Sequence, residues 1–183
     1  MQPGKGIFLT GATGLLGRFL LRDLLAAGEP VAVLARDSRQ GSAVHRVSQL
    51  VEFWSDRLAT KLPQPVVISG DLTAPGLGMG SAERRWIASR CRAVLHAAAC
   101  TAFRPGRDGE PWASNVDGTR HVLALCNALG IDELHYVSTA FVCGERSGPI
   151  FEHELDCGQT FHNEYERTKC DAERLVRQAG GVR

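Results

Sequence analysis

The sequence predicts an α/β fold: a doubly wound parallel sheet with helices on both faces. Three observations carry that expectation. Five short β-branched runs alternate with longer segments of helical period. A glycine turn, "TGATGLLG" at 10–17, joins the first run to the first helical segment. The Gly/Pro-rich stretches Thr73–Gly80, Arg104–Pro111 and Gly144–Thr160 all follow strands, where the ligand crevice of such sheets lies, so these loops are expected to border it.

The first strand is expected at Gly6–Thr10 and the second at Val31–Ala35. Between them Leu15, Leu16, Phe19, Leu20 and Leu24 form one helical stripe, which Gly28 is placed to stop. Val44, Val47, Val51, Trp54 and Leu58 recur at 3-4-3-4 spacing and give a long amphipathic helix before the third strand at Pro65–Ser69. A fourth strand is expected at Ala93–Ala97. It precedes a helical stripe of Trp112, Val116, Val122, Leu125 and Leu129, with Pro111 suited to its first turn. Glu133–Ser138 is the fifth strand, and Phe161, Tyr165, Thr168, Ala172, Leu175 and Ala179 mark the last helix. Right-handed crossovers then give strand order 3-2-1-4-5 in one domain spanning 1–183.

The glycine turn is the first functional signal. A glycine pattern alone fits a turn that merely needs positive φ. Here it opens a βαβ unit, the context of Rossmann-type dinucleotide binding. Gly11 would allow the tight turn, Gly14 the approach of a pyrophosphate and Gly17 close packing of helix on strand. The N–H groups and dipole of the helix start favour phosphate. The cofactor-binding candidates here are Gly11, Thr13, Gly14, Leu15, Leu16 and Gly17.

"VAVLARDSR" ends the second strand, where a free ribose 2′-hydroxyl is usually met by an acid about 20 residues on from the glycines. Ala35 holds that place, and Arg36 offers a fork for a 2′-phosphate, with Arg46 as a second positive charge. NADP is therefore expected rather than NAD. The competing reading leaves both arginines solvated, or pairs Arg36 with Asp37.

"NEYERTKC" at 163–170 sets Tyr165 and Lys169 on one helix face, four residues apart. Alone, Tyr165 reads as a core aromatic and Lys169 as a surface ion pair with Glu166 or Glu173. "LHYVSTAFVCG" shifts that reading, because Ser138 and Thr139 fall where the fifth strand ends, one loop before this helix. A hydroxyl, a phenol and an ammonium would then converge. The ammonium would bring the phenol toward its working range, and the hydroxyl would hold a substrate oxygen.

Composition excludes other classes. Twenty-one basic and twenty acidic residues leave a net charge of +1, without the basic stripe that marks nucleic-acid binding. No apolar run approaches the ~18 residues of a membrane span, no signal-peptide layout opens the chain, and a cytoplasmic protein is expected. Six scattered cysteines and six dispersed histidines form neither a disulfide framework nor a zinc spacing, so no metal is expected.

Six segments together resemble the extended short-chain dehydrogenase/reductase superfamily, most closely its thioester-reductase and fatty-acyl-CoA-reductase ("male sterility") branch. They are "TGATGLLG", "GDL" at 70–72, "HAAA" at 96–99, "NVDGT" at 115–119, "VSTAFVCG" at 137–144 and "YERTK" at 165–169. The resemblance implies Thr139, rather than Ser138, as catalytic hydroxyl, Tyr165 as acid/base, and Lys169 as its partner on the nicotinamide ribose. It places Asp71 and Leu72 at the adenine, Ala97, Ala98 and Ala99 along the cofactor, and Asn115 behind it. His96 fits the branch or a packing histidine equally, and Cys143 stands where relatives often carry an aromatic residue.

The implied activity is NADP-dependent hydride delivery to an acyl thioester, small or carrier-bound, or to the derived aldehyde. The alternatives are a sugar-nucleotide or steroid-type epimerase/dehydrogenase and a non-catalytic NAD(P)-binding regulator. The family continues with further strands and a substrate-binding part, expected to be absent from this chain, while Met1 just before the first strand argues against a piece of a large synthetase.

Overall fold

The computed structural model describes residues 4–180. Five parallel strands form one sheet in the order β3-β2-β1-β4-β5, as expected. The strands β1 (Gly6–Thr10) and β2 (Val31–Ala35) are central and buried throughout, as continuous apolar runs in a doubly covered sheet should be. The edge strands β3 (Val66–Ser69) and β5 (Glu133–Tyr136) are shorter and partly exposed, and β4 (Cys91–His96) pairs with both β1 and β5.

Alternation along β1 sends Phe8 to one face and Leu9 to the other. On the Leu9 face, helix α1 (Gly17–Ala26) contributes Leu21 and Leu25, and α2 (Ala43–Leu58) contributes Val47, Val51 and Trp54. The Phe8 face is covered by Ile87 of α3 (Ser81–Arg90) and by Val122 and Leu125 of α4 (Gly118–Leu129), with Leu175 and Val176 of α5 (Glu164–Gln178) at its margin. Full burial of each such side chain stabilises by roughly 1.5–3 kcal/mol, so the two layers fix the helices of both faces to the sheet.

Two elements depart from the expected pattern. Helix α3 carries no apolar stripe: Ile87 is its one buried residue, and "SAERRWIASR" reads as polar. The helix expected from Trp112 begins instead as a π-helical turn, Ala113–Asp117, before continuing as α4. That turn presents Asn115 inward at 2% exposure.

Candidate functional site

Gly11 takes φ +78°, and a Cβ there would stand 2.5 Å from the Ala98 nitrogen, so the turn needs both glycine's conformational freedom and its missing side chain. Gly17 packs on the same turn, and a Cβ there would meet the Gly11 carbonyl oxygen at 2.0 Å. Helix α1 starts at Leu16 with no side-chain cap. The backbone N–H groups of Thr13, Leu15 and Leu16 make no hydrogen bond to any described residue, and the Leu15 and Leu16 side chains stay exposed. Free donors at a helix start can hold an anion.

At the exit of β2, Ala35 is buried and Arg36 exposed. The Arg46 guanidinium ties this exit to the glycine turn, donating to the Arg36 carbonyl at 2.9 Å and to the Thr13 hydroxyl at 3.3 Å. Asp37 does not pair with Arg36; its carboxylate accepts the Ala43 N–H at the start of α2. Arg36 acts on Asp71, whose carboxyl is pulled up by partial burial but held below its usual value by the Thr73 N–H and hydroxyl and by the Arg36 charge.

Beyond β4, the Asn115 amide clamps one residue of the outgoing loop at both ends. Cys100 N–H donates to Asn115 Oδ1 at 2.8 Å, and Asn115 Nδ2 donates to the Cys100 carbonyl at 2.9 Å. The same Nδ2 donates to Thr168 Oγ1 at 2.9 Å, which fixes α5 one residue before Lys169. Asn163 caps α5 by accepting the Glu166 N–H, and Glu166 answers through the Asn163 amide and the His162 N–H.

Lys169 is not a surface ion pair. It is 2% exposed and donates to the Tyr136 hydroxyl at 2.6 Å and to the Val137 carbonyl at 2.7 Å. Burial pulls its ammonium down to about 8, against a smaller upward pull from Glu173. Tyr165 is half-buried, with its ring 6.5 Å from that of Phe103, and makes no hydrogen bond to Lys169. Ser138 donates to Glu173, while the Thr139 hydroxyl accepts the Phe141 N–H at 3.3 Å. His96 is 1% exposed, between the Thr10 and Thr119 hydroxyls, and burial lowers it to about 3, so it is a neutral packing histidine.

These groups share one cleft of about 490 Å³ along the carboxyl ends of the strands. Every candidate residue lines it except Arg46 at its rim and Asn115 behind it. Arg36 stands at the β2 end, and Thr139, Tyr165 and Lys169 at the β5 end. Three strand spacings separate the two ends, about 14 Å.

Apart from the glycine turn, the loops after the strands reach this cleft through their first residues. From the expected stretches, Thr73–Gly80 turns away, because Leu77 is driven fully into the core, and Arg104–Pro111 lies outside. Ile150, Phe151, Glu152, Glu154 and Leu155 line a separate hollow of about 620 Å³ that shares Ser138 and Thr139 with the cleft. Among the described residues, no group of His, Cys, Asp and Glu is arranged to hold a metal, and no helix is long and apolar enough to cross a membrane. Sequence reasoning missed Tyr136. Its signal was a polar aromatic in register with His96, two residues before Ser138.

Comparison with known proteins adds four likenesses. The profile of the male sterility protein family matches residues 9–183. The fatty acyl-CoA reductase wat of Drosophila melanogaster is 33% identical over 148 residues, and a linear gramicidin synthase from Brevibacillus parabrevis is 31% identical over 188 residues. Those matches take in 75% and 96% of this chain but only 28% and 4% of the two relatives. The solved terminal R domain of the myxalamid PKS-NRPS pathway superposes with a TM-score of 0.81 at 33% identity, covering 98% of this chain and 46% of that one.

Proposed function

This chain belongs to the male sterility protein family of NAD(P)-binding domains, and from that membership we propose that it is the cofactor-binding part of an NADP-dependent reductase acting on an acyl thioester or the derived aldehyde. The observation that carries the reading is the polarity of the cleft. Arg36 and the Arg46-braced turn stand at one end, and Thr139, Tyr165 and Lys169 at the other. The relatives named for acyl-CoA reduction and for the R domain of an assembly line support an acyl group, free or carrier-bound, as substrate.

The residues fit such a cofactor. Thr13, Leu15 and Leu16 offer free N–H groups to the pyrophosphate, and the Gly11–Gly17 turn leaves no side chain between it and the backbone. Arg36 would take the 2′-phosphate, with Asp71 and Leu72 at the adenine and Ala97–Ala99 alongside. When bound, the nicotinamide supplies the hydride for the carbonyl carbon. Thr139 holds the carbonyl oxygen where negative charge develops, Tyr165 gives it a proton, and Lys169 binds the ribose with the N–H not spent on Tyr136 and Val137. Ser138 is committed to Glu173, which leaves Thr139 for the oxygen.

Oxidation of NADPH by the full-length protein over a panel of acyl thioesters and aldehydes, with chromatography of nucleotide sugars incubated with protein and oxidised cofactor, tests the reading. Conversion confined to nucleotide sugars, without net consumption of cofactor, would assign the cleft to an epimerase-type reaction. Cofactor binding without turnover of any member would assign it to a regulator.

A further inference from the structure

Lys169 shares a helix face with Tyr165, yet in this fold its bonded neighbours lie on and just after β5. The Tyr136 hydroxyl accepts one N–H at 2.6 Å, and the ammonium stands 4.1 Å from the centre of the same ring, within cation–π reach. Val137 takes a second N–H. An ammonium has three, so one remains, on a residue that lines the cleft.

The buried groups behind Tyr136 have their hydrogens committed to one another. The Thr119 hydroxyl donates its one hydrogen to the Asn115 carbonyl at 2.6 Å. It can therefore only accept from His96 Nε2, at 3.2 Å, which leaves Nδ1 as acceptor for the Thr10 hydroxyl at 2.7 Å. Every hydrogen in the chain Thr10–His96–Thr119–Asn115 thus has one consistent direction, and the His96 ring packs 5.6 Å from that of Tyr136. The Tyr136 oxygen receives its hydrogen bond from Lys169 and presents a lone pair to the ammonium.

We propose that Tyr136 is a positioning residue of this site: its hydroxyl, which accepts from the Lys169 ammonium, and its ring, which the ammonium overlies, fix that ammonium at the cleft and keep it protonated. The proposal rests on the reading of Lys169 as the ribose-binding lysine. The phenol itself stays neutral, because burial and the nearby Glu173 and Tyr165 push its proton affinity up. The groups facing Lys169 are Tyr136 and the Val137 carbonyl from the β5 segment, His96 from β4, and Tyr165 and Glu173 from its own helix. Among them Tyr136 is the side chain that hydrogen-bonds the ammonium.

The test exploits a short lysine inventory, Lys5, Lys61 and Lys169. In cofactor-free protein labelled at lysine, NMR follows each ammonium with pH, and Lys169→Arg identifies the signal. The parent Lys169 should titrate near 8. Tyr136→Phe keeps the ring and removes the acceptor, so proton binding should weaken roughly tenfold, to a midpoint about one unit lower. Replacing Tyr136 by 3-fluorotyrosine, which makes its oxygen a weaker acceptor without removing it, should move it the same way by less, and it serves if the Phe variant does not fold. An unchanged midpoint in the folded variant would overturn the proposal and leave Tyr136 a packing aromatic. NADPH affinity at pH 8 should also drop several-fold in Tyr136→Phe. Failure of the parent to bind NADPH would refute the cofactor reading instead, while the lysine titration would still decide the role of Tyr136.

Discussion

A Cβ on Gly17 would stand 2.0 Å from the carbonyl oxygen of Gly11, so the start of α1 and the end of β1 touch through bare backbone. Backbone on both sides leaves no flexible side chain to yield. Gly17→Ala should therefore push the helix off the turn, costing about 1–3 kcal/mol through overpacking. It should displace the Leu15 and Leu16 donors as well. Thermal melts should show a loss of about 2–12 °C, and NADPH affinity should fall with it. Gly28 has open space around its Cβ position but takes φ +76°, so Gly28→Ala should lower stability without touching cofactor affinity.

Arg36 and Arg46 should separate by function. Arg36→Ala removes the candidate phosphate fork, and NADPH affinity should drop roughly 10- to 100-fold with NADH affinity nearly constant. Arg46 also braces the Arg36 carbonyl and Thr13, so Arg46→Ala should weaken both cofactors. Calorimetric titration of the two variants with both cofactors checks this. An equal NADPH and NADH response in Arg36→Ala would remove Arg36 from the recognition of phosphate.

Acid should unfold the protein partly through His96. Its folded value of about 3 lies below the ordinary 6.5, so between these limits the unfolded chain binds a proton that the folded one refuses. Stability from this group is thus complete above 6.5 and falls as pH drops toward 3, by about 2 kcal/mol at pH 5. Denaturant titrations from pH 7.5 to 4.5 should give a shallower decline in His96→Gln than in the parent, whatever their difference at pH 7.5. Parallel declines would mean that His96 is not the residue being protonated.

Where a single local requirement dictates structure, the sequence is legible. The bounds of β1 and β2 follow from continuous apolar runs closed by the glycine turn and by Arg36, and the structure places them at the expected residues. Strand β4 starts two residues early, at Cys91, and β5 stops two early, at Tyr136, because pairing with neighbours, not composition, ends a strand. Helix α3 was not legible because one buried residue, Ile87, leaves no periodicity to read. The inward fold of Leu77 depends on positive φ at Gly76, Leu77 and Gly78, which no apolar pattern announces. The hydroxyl, phenol and ammonium were legible as spacing along one helix and one strand end. The attachment of Lys169 to Tyr136 was not, since it arises from packing α5 on β5, 33 residues apart in sequence.

Tyr165→Phe in the full-length protein carries the central claim, because it removes one hydroxyl and nothing else from the cleft. With NADPH deuterated at the transferring position and an acyl thioester as substrate, the parent should place deuterium on the former carbonyl carbon. The Phe variant should bind NADPH within about twofold of the parent and transfer label at least about 100-fold more slowly. Label transfer within a few-fold of the parent would contradict the account and return Tyr165 to the role of an aromatic packed beside Phe103.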